Sequence, residues 1–280
     1  MTFISFLYQL RRQKKAVPAF NVFNLETIQA VSLAAKELKQ PVIVQVSEKA
    51  IVYAGFESLV TLIASVWSKT KLPLFLHLDH GKDLSVIKQC IASGFFTSVH
   101  IDASDKDLAQ NIKLTKMVVN WAHSKGVAVQ GELGTILGKE GYKKLIDEKQ
   151  VLEVFTPVDQ IQEYITKSGL DYLAVSIGNI HGNVKRSRGL NYQLLKKIYQ
   201  TTNLPLVLHG GSGFSDSDLR RVKQFGVTVV NIDSDLREAF LVGFQKPMVK
   251  AGVADPRIPL NLARELMKAV ALKKIKLLKS

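Results

Sequence analysis

A closed (β/α)8 TIM barrel, α/β in class and carrying one additional C-terminal helix, is the fold this sequence predicts. Eight apolar runs rich in branched residues recur along the chain, at 16–22, 41–47, 72–79, 98–104, 127–133, 171–177, 204–210 and 227–233. Amphipathic stretches with helical spacing lie between them, the order expected of repeating β/α units. The third observation is length, since 280 residues fit one barrel, a fold that typically takes about 250. Parallel strands must be covered by helices, and closure removes both sheet edges. An open doubly wound sheet is the structural alternative. It is disfavoured because no strand is followed by the closely spaced Gly-x-Gly-x-x-Gly turn of a dinucleotide site.

In chain order, the opening segment MTFISFLYQLRRQKK reads as a short helix packed by Phe3, Phe6, Leu7 and Leu10. Its basic cluster follows the apolar stretch, the reverse of a secretory signal, and no apolar run approaches the roughly 20 residues of a membrane span. A cytoplasmic protein without a membrane partner is therefore expected. Helical patterns then run from Glu26 to Leu38, Leu84 to Ala92, Leu108 to Ala122, Asp159 to Lys167, Tyr192 to Tyr199 and Asp216 to Phe225. The longest interruption, Gly134 to Phe155, combines glycines with many charges just after the fifth strand. Loops of that length are uncommon unless they act as lids or binding segments. The final stretch, PRIPLNLARELMKAVALKKIKLLKS, predicts a long helix starting after Pro259, with leucines and alanines at helical spacing and lysines elsewhere. Docking on the barrel or on a second subunit is the preferred reading; a membrane-surface or nucleic-acid helix is the alternative. No composition shift or linker divides the chain, so residues 1–280 are expected to form one domain.

Composition narrows the function classes. With 46% hydrophobic and 22% charged residues the chain folds, which excludes disorder and collagen-like repeats. The single cysteine, Cys90, rules out an internal disulfide and a cysteine-based zinc cluster, and its place inside VIKQCIASG reads as a structural thiol. A net charge of +14 points to anionic partners. Nucleic acid, anionic lipid and a phosphorylated metabolite all qualify.

The polar residues at the strand ends carry the functional argument. Strand 3 ends in Asp79-His80-Gly81, strand 4 in Asp102 and strand 5 in Glu132, and strand 6 is followed by Asn179-Ile180-His181-Gly182. Strand 7 ends in His209-Gly210-Gly211-Ser212-Gly213, and strand 8 contains Asn231-Ile232-Asp233-Ser234. In a barrel these positions converge on the C-terminal face, where active sites sit. His80, His181 and His209, from three different strands, supply with nearby carboxylates the imidazole set of a catalytic divalent metal, most often zinc. His77, His100 and His123 are weaker candidates, because two lie inside strands and one on a helix. They read as structural. The glycine-rich turn HGGSGFSDSDLRR and the segment NIDSDLREAF each open a helix after a strand, the usual phosphate-binding arrangement of this fold.

The segments FNVFN (20–24), LHLDHG (76–81), IDAS (101–104), GELGT (131–135), GNIHG (178–182), LVLHGGSG (206–213), NIDSDL (231–236) and DPR (255–257) resemble the ordered motifs of the class II, metal-dependent fructose-bisphosphate aldolases. The resemblance spans almost the whole chain. It implies a (β/α)8 barrel, a homodimer or homotetramer, and reversible cleavage of fructose 1,6-bisphosphate into dihydroxyacetone phosphate and glyceraldehyde 3-phosphate. By resemblance His80, His181 and His209 hold the catalytic Zn2+, while Asp102 and Glu132 match a second or alternative metal position. Asp79 exchanges the proton of the C4 hydroxyl, and Glu140 protonates the enediolate. Gly182, Gly210, Gly211 and Ser212, with Asn231, Asp233 and Ser234, hold the dihydroxyacetone phosphate portion. Asn21, Ser47 and Arg257 are candidates near the far phosphate, and Lys185 sits where the family often has a lysine close to the ligand. No organic cofactor is implied, and a second divalent ion and a monovalent cation stay open.

This chemistry is consistent bottom-up. Cleaving the C3–C4 bond leaves electrons on an enediolate, and a Lewis acid stabilises that charge without a lysine Schiff base. A carboxylate within hydrogen-bond reach removes the C4 hydroxyl proton. The chain departs from the family pattern in the loop Leu137-Gly138-Lys139-Glu140-Gly141, which keeps one acid where relatives have consecutive acids, and at Gln130, where relatives commonly have a carboxylate. Tyr142-Lys143-Lys144 and Lys185-Arg186-Ser187-Arg188 are unusually basic. Two alternatives stand beside the main reading. One is an aldolase for tagatose 1,6-bisphosphate or a related phosphorylated ketose, since epimers differ in one hydroxyl. The other is a non-catalytic nucleic-acid or surface-binding protein on the same fold. It draws on the charge, but the chain has no recognised nucleic-acid module, so nucleic acid is not expected as the main partner.

Overall fold

The computed structural model describes residues 2–138, 154–182, 189–248 and 254–280. Eight strands form a closed barrel: β1 (Val17–Asn21), β2 (Ile43–Ser47), β3 (Phe75–Gly81), β4 (Ser98–Ile101), β5 (Ala128–Leu133), β6 (Tyr172–Val175), β7 (Leu206–Leu208) and β8 (Val227–Ile232). Each pairs parallel to the next, and β8 returns to β1 through Ala19 opposite Asn231. Successive side chains on a strand face opposite ways, so each strand feeds two cores. Outward residues such as Val44, Leu76, Leu78 and Val99 pack under the helices. Inward residues near the strand starts, including Val17, Ile43, Phe75, Ala128 and Tyr172, fill the barrel itself. Towards the strand ends the same inward positions turn polar, giving Asn21, Gln45, Asp79, His100, Gln130, Glu132 and Asn231, all buried.

The first helix, α1 (Phe3–Gln13), is started by Thr2, whose hydroxyl accepts from the Ser5 amide at 3.2 Å. Its Phe3, Phe6, Leu7 and Leu10 close the bottom of the barrel, and the Phe6 ring stacks on Phe75 with centroids 5.1 Å apart. The remaining helices are α2 (Leu25–Leu38), α3 (Glu48–Ala54), α4 (Phe56–Ser68), α5 (Leu84–Ala92), α6 (Leu108–His123), α7 (Ile161–Ser168), α8 (Tyr192–Thr201), α9 (Asp216–Val222), α10 (Ser234–Met248) and α11 (Arg257–Lys279). Most begin on a side chain that satisfies a free backbone amide, as Asn24 and Thr27 do reciprocally for α2 and Ser215 and Asp218 for α9.

Two elements differ from the sequence expectation. The stretch between β2 and β3 holds two helices separated at Gly55, whose φ of 78° breaks the helix. The last helix starts at Arg257 rather than after Pro259. Proline is tolerated there because the amides of a first turn have no intrahelical acceptor to lose. This helix docks on the barrel, burying Ala263, Met267, Ala271, Ile275 and Leu278. At Gly243 of α10 a Cβ would come within 2.5 Å of Ala263 Cα, so only glycine permits that approach. Among the described residues no single helix is long and apolar enough to cross a membrane. Cys90 is fully buried, and burial pushes its thiol up to about 12, as a structural thiol requires.

Candidate active site

The site is built on the inward polar residues at the C-terminal ends of the strands. Asp79 is fully buried near the end of β3 and held by two amides. Asn21 Nδ2 donates to its Oδ2 at 2.9 Å, and Asn231 Nδ2 donates to its Oδ1 at 3.2 Å. Asn21 is itself fixed by Gln45, whose Nε2 donates to Asn21 Oδ1 at 2.6 Å. A chain of side chains from β2 through β1 to β3 therefore sets the direction of one carboxylate.

His80 follows Asp79 in a left-handed conformation, φ 48°, a region L-residues seldom adopt. The turn aims its ring across the mouth. Nδ1 lies 2.8 Å from Asp102 Oδ2, and Nε2 lies 2.9 Å from His209 Nδ1. Burial alone would lower the His80 pKa, but Asp79, the hydrogen bond to Asp102, and Glu132 outweigh it and raise it to about 10. Burial lowers His181 to about 3 and His209 well below the usual range, and the charge on His80 adds to both effects. Glu132 is pushed up to about 8 by burial and by Asp102. Asp102 moves the other way: burial alone would raise its pKa, but the His80 hydrogen bond together with the charges of His100, His80 and Lys82 outweighs it and lowers it; Ser104 Oγ also donates to it at 2.9 Å.

Both nitrogens of the His209 ring are engaged beyond His80: Gln130 Nε2 lies 3.0 Å from its Nε2, and Asn231 Nδ2 lies 3.2 Å from its Nδ1.

The rings of His80, His181 and His209 lie together, with centroids 4.4 to 5.6 Å apart. Donor atoms within 4.8 Å of one another form two sets, Asp79-His80-His100-His209 and His80-His100-Asp102-Glu132. Both sets contain His100, which the sequence placed among structural histidines, and neither contains His181. The register explains His100: it is the inward residue opposite Gln130 on β5, so it enters the mouth. His100 Nε2 and Glu132 Oε2 are buried, lack a hydrogen-bond partner and face each other at 3.7 Å. Imidazoles and carboxylates with unsatisfied buried atoms are a donor set that fits a divalent cation. The other two histidines behave as the sequence suggested. His77 lies deeper in the barrel beside Ser98 and Tyr172, and His123 pairs with Asp171 outside.

The glycine turns sit beside this cluster. Gly210 has φ 69°, and a Cβ there would stand 2.0 Å from Ile180 O, so the turn after β7 presses directly on the segment before His181. Ser212 Oγ accepts from the Asp235 amide at the start of α10, which joins the turns after β7 and β8. Asp233 is buried and pairs with Arg237, Ser234 opens α10, and Gly182 is buried beside His181.

The outer candidates are placed differently. The Ser47 hydroxyl accepts from the Ala50 amide at 3.3 Å and so starts α3. Asn21 faces Asp79. Arg257 is exposed and pairs with Asp255 at 2.7 Å. Glu140 and Lys185 lie outside the described residues.

The sequence profile of the family described as fructose-bisphosphate aldolase class-II matches residues 2–280. The chain belongs to the class II fructose-bisphosphate aldolase family. A fructose-bisphosphate aldolase of Geobacillus stearothermophilus is 34% identical over 274 residues, covering 96% of this chain and 93% of that one. The crystal structure of the YdjI aldolase from Escherichia coli K12 superposes with TM-score 0.85 at 30% identity, covering 100% of this chain and 98% of that one. The fructose-bisphosphate aldolase of Campylobacter jejuni has TM-score 0.81 at 24% identity over 98% of this chain and 92% of that one, a likeness of fold. The class II aldolase reaction is thus the activity of this chain, and the cluster at the mouth is the metal-type donor set it requires.

Two contributors have no motif in the sequence. Gln45 and His100 stand at inward positions of strands that otherwise read as apolar, PVIVQVS and SVHIDAS. A polar residue in phase with the inward face is the available signal.

Proposed function

We propose that this aldolase reversibly cleaves fructose 1,6-bisphosphate into dihydroxyacetone phosphate and glyceraldehyde 3-phosphate with Zn2+ as its catalytic ion. The observation that carries the reading is Asp79, fully buried between two amide donors and next to the His80–His209 pair. His80 and His209, with His181 and the carboxylates Asp102 and Glu132 nearby, are the residues that would hold the ion and an alternative position. The chemistry a divalent ion supplies when held there is Lewis-acid stabilisation of the charge that C3–C4 cleavage leaves on the ketone half.

The protein's own groups do the rest. Asp79 accepts the C4 hydroxyl proton, and Asn21 and Asn231 keep its two oxygens aimed while burial excludes water. Gly182, Gly210, Gly211 and Ser212, with Asn231, Asp233 and Ser234, hold the dihydroxyacetone phosphate portion, its phosphate meeting the turn amides and the start of α10. Glu140 returns a proton to the carbon released by cleavage. Asn21, Ser47 and Arg257 serve the far phosphate, Lys185 lies close to the ligand, and the protein works in the cytoplasm as a homodimer or homotetramer. The name carried by the Geobacillus relative supports the fructose epimer.

A coupled assay of purified protein, zinc-loaded and chelated, on fructose and tagatose bisphosphates tests the proposal. Cleavage that needs zinc and favours the fructose epimer is expected. Chelator-insensitive cleavage, or none after zinc loading, sinks it, and a higher kcat/KM on tagatose 1,6-bisphosphate moves the assignment to that sugar.

A further inference from the structure

The last helix reaches the phosphate turns with a buried cation. Lys274 of α11 is only 6% exposed. Its Nζ lies 2.7 Å from Asp235 Oδ2 and donates to Gly211 O at 3.4 Å. These partners belong to different loops: Gly211 to the turn after β7, Asp235 to the first turn of α10 after β8. The same two loops meet a second time, where the Asp235 amide donates to Ser212 Oγ at 3.1 Å. Lys273 next to it pairs with Asp216, at the first residue of α9, at 3.1 Å.

We propose that Lys274 is a positioning residue for the substrate phosphate, clamping the turns after β7 and β8 into one anion-binding surface. The inference rests on the aldolase reading above. Its physical basis is the planarity of the peptide unit. In a trans peptide the carbonyl and the following amide point in opposite directions, so a Gly211 carbonyl directed at Lys274 turns the Ser212 amide away from the helix. The Gly211 carbonyl also accepts from the Phe214 amide at 3.2 Å, which closes the turn on itself. Behind it, a Cβ at Gly211 would stand 2.3 Å from Val230 Cγ1, so the turn cannot retreat into β8. Lys274 neutralises Asp235 at the same time. Without it a carboxylate would face an incoming phosphate from the first turn of α10.

The experiment compares zinc-loaded wild-type protein with zinc-loaded Lys274→Met and Lys274→Gln, each titrated with dihydroxyacetone phosphate and with inorganic phosphate. Loss of the buried charged donor should weaken both ligands roughly tenfold in Lys274→Met and less in Lys274→Gln, which keeps a donor. KM should rise more than kcat falls, and zinc affinity should stay at the wild-type value. Should the methionine variant not fold, Lys274→Gln alone carries the comparison. A folded variant that binds both ligands as wild type does, even with a lowered melting temperature, overturns the proposal and leaves Lys274 a structural residue. Wild-type protein that binds neither ligand would instead remove the aldolase reading on which the inference rests.

Discussion

The chain Gln45–Asn21–Asp79 offers a graded test of how the base is held. Replacing Asn21 with Leu removes the donor that reaches Asp79 Oδ2 at 2.9 Å and leaves the fold's strand ladder intact. A hydrogen bond to a charged group contributes about 1.5–3 kcal/mol. At 1.36 kcal/mol per factor of ten, kcat/KM should fall about 10- to 150-fold. Gln45→Met cuts only the neutral bond at 2.6 Å behind it. With about 1 kcal/mol lost, the fall should be near fivefold. Because both substitutions act through the same carboxylate, the double variant should be no worse than Asn21→Leu alone. Steady-state cleavage assays, with zinc content measured in each variant, give the answer. Multiplicative losses in the double variant would refute the relay, and so would an Asn21→Leu enzyme of wild-type efficiency that retains its zinc.

Three further outcomes follow from the same geometry. Gln130→Leu removes the side-chain amide that holds His209 Nε2, so zinc should bind about 10- to 100-fold more weakly by competition with a chromophoric chelator. Gly210→Ala brings a Cβ to 2.0 Å from Ile180 O at a φ of 69°; strain of about 1–2 kcal/mol or more should lower the melting temperature by at least about 2–4 °C or prevent folding, and a variant of wild-type stability would contradict the packing. Metal-free protein holds protons more tightly when folded at His80, raised from 6.5 to about 10, and at Glu132, raised from 4.5 to about 8. Their stabilisation is complete below the unfolded values and lost as pH rises through 8 and 10, so urea melts should weaken across that range without zinc and change little with it.

How much of this was legible in the sequence depends on what each residue does. The barrel was readable because alternating strands and helices leave a periodic apolar signal, and His80, His209, Asp79 and the glycine turns were readable because they end strands in recognisable motifs. Gln45 and His100 were not, since a single polar residue inside an apolar run looks like a satisfied core residue until register assigns it a face. The left-handed turn at His80 has no signal either; the neighbouring Gly81 carries the expected glycine, while the strained conformation falls on the histidine. Ser47 and Asn21 carry contacts that no motif announces: the serine hydroxyl also starts a helix, and the asparagine also holds Asp79.

Charge is divided between the inside and the outside of the molecule. Asp79, Asp102 and Glu132 are buried together at the mouth, and the metal-free protein answers that negative surplus by keeping protons on His80 and Glu132. A cation held there would offset that charge for an anionic substrate, so chelated protein should bind dihydroxyacetone phosphate more weakly than zinc-loaded protein even with its phosphate turns intact. The net charge of +14 over the whole chain does not substitute for that ion. In residues 264–280 there are six basic side chains, and Arg264, Lys268, Lys273 and Lys274 are paired with Glu265, Glu37, Asp216 and Asp235. Four of the six cations are thus engaged in ion pairs, while the apolar face of the helix lies on the barrel. Its charge acts locally, and Lys274 is the point at which it meets the site.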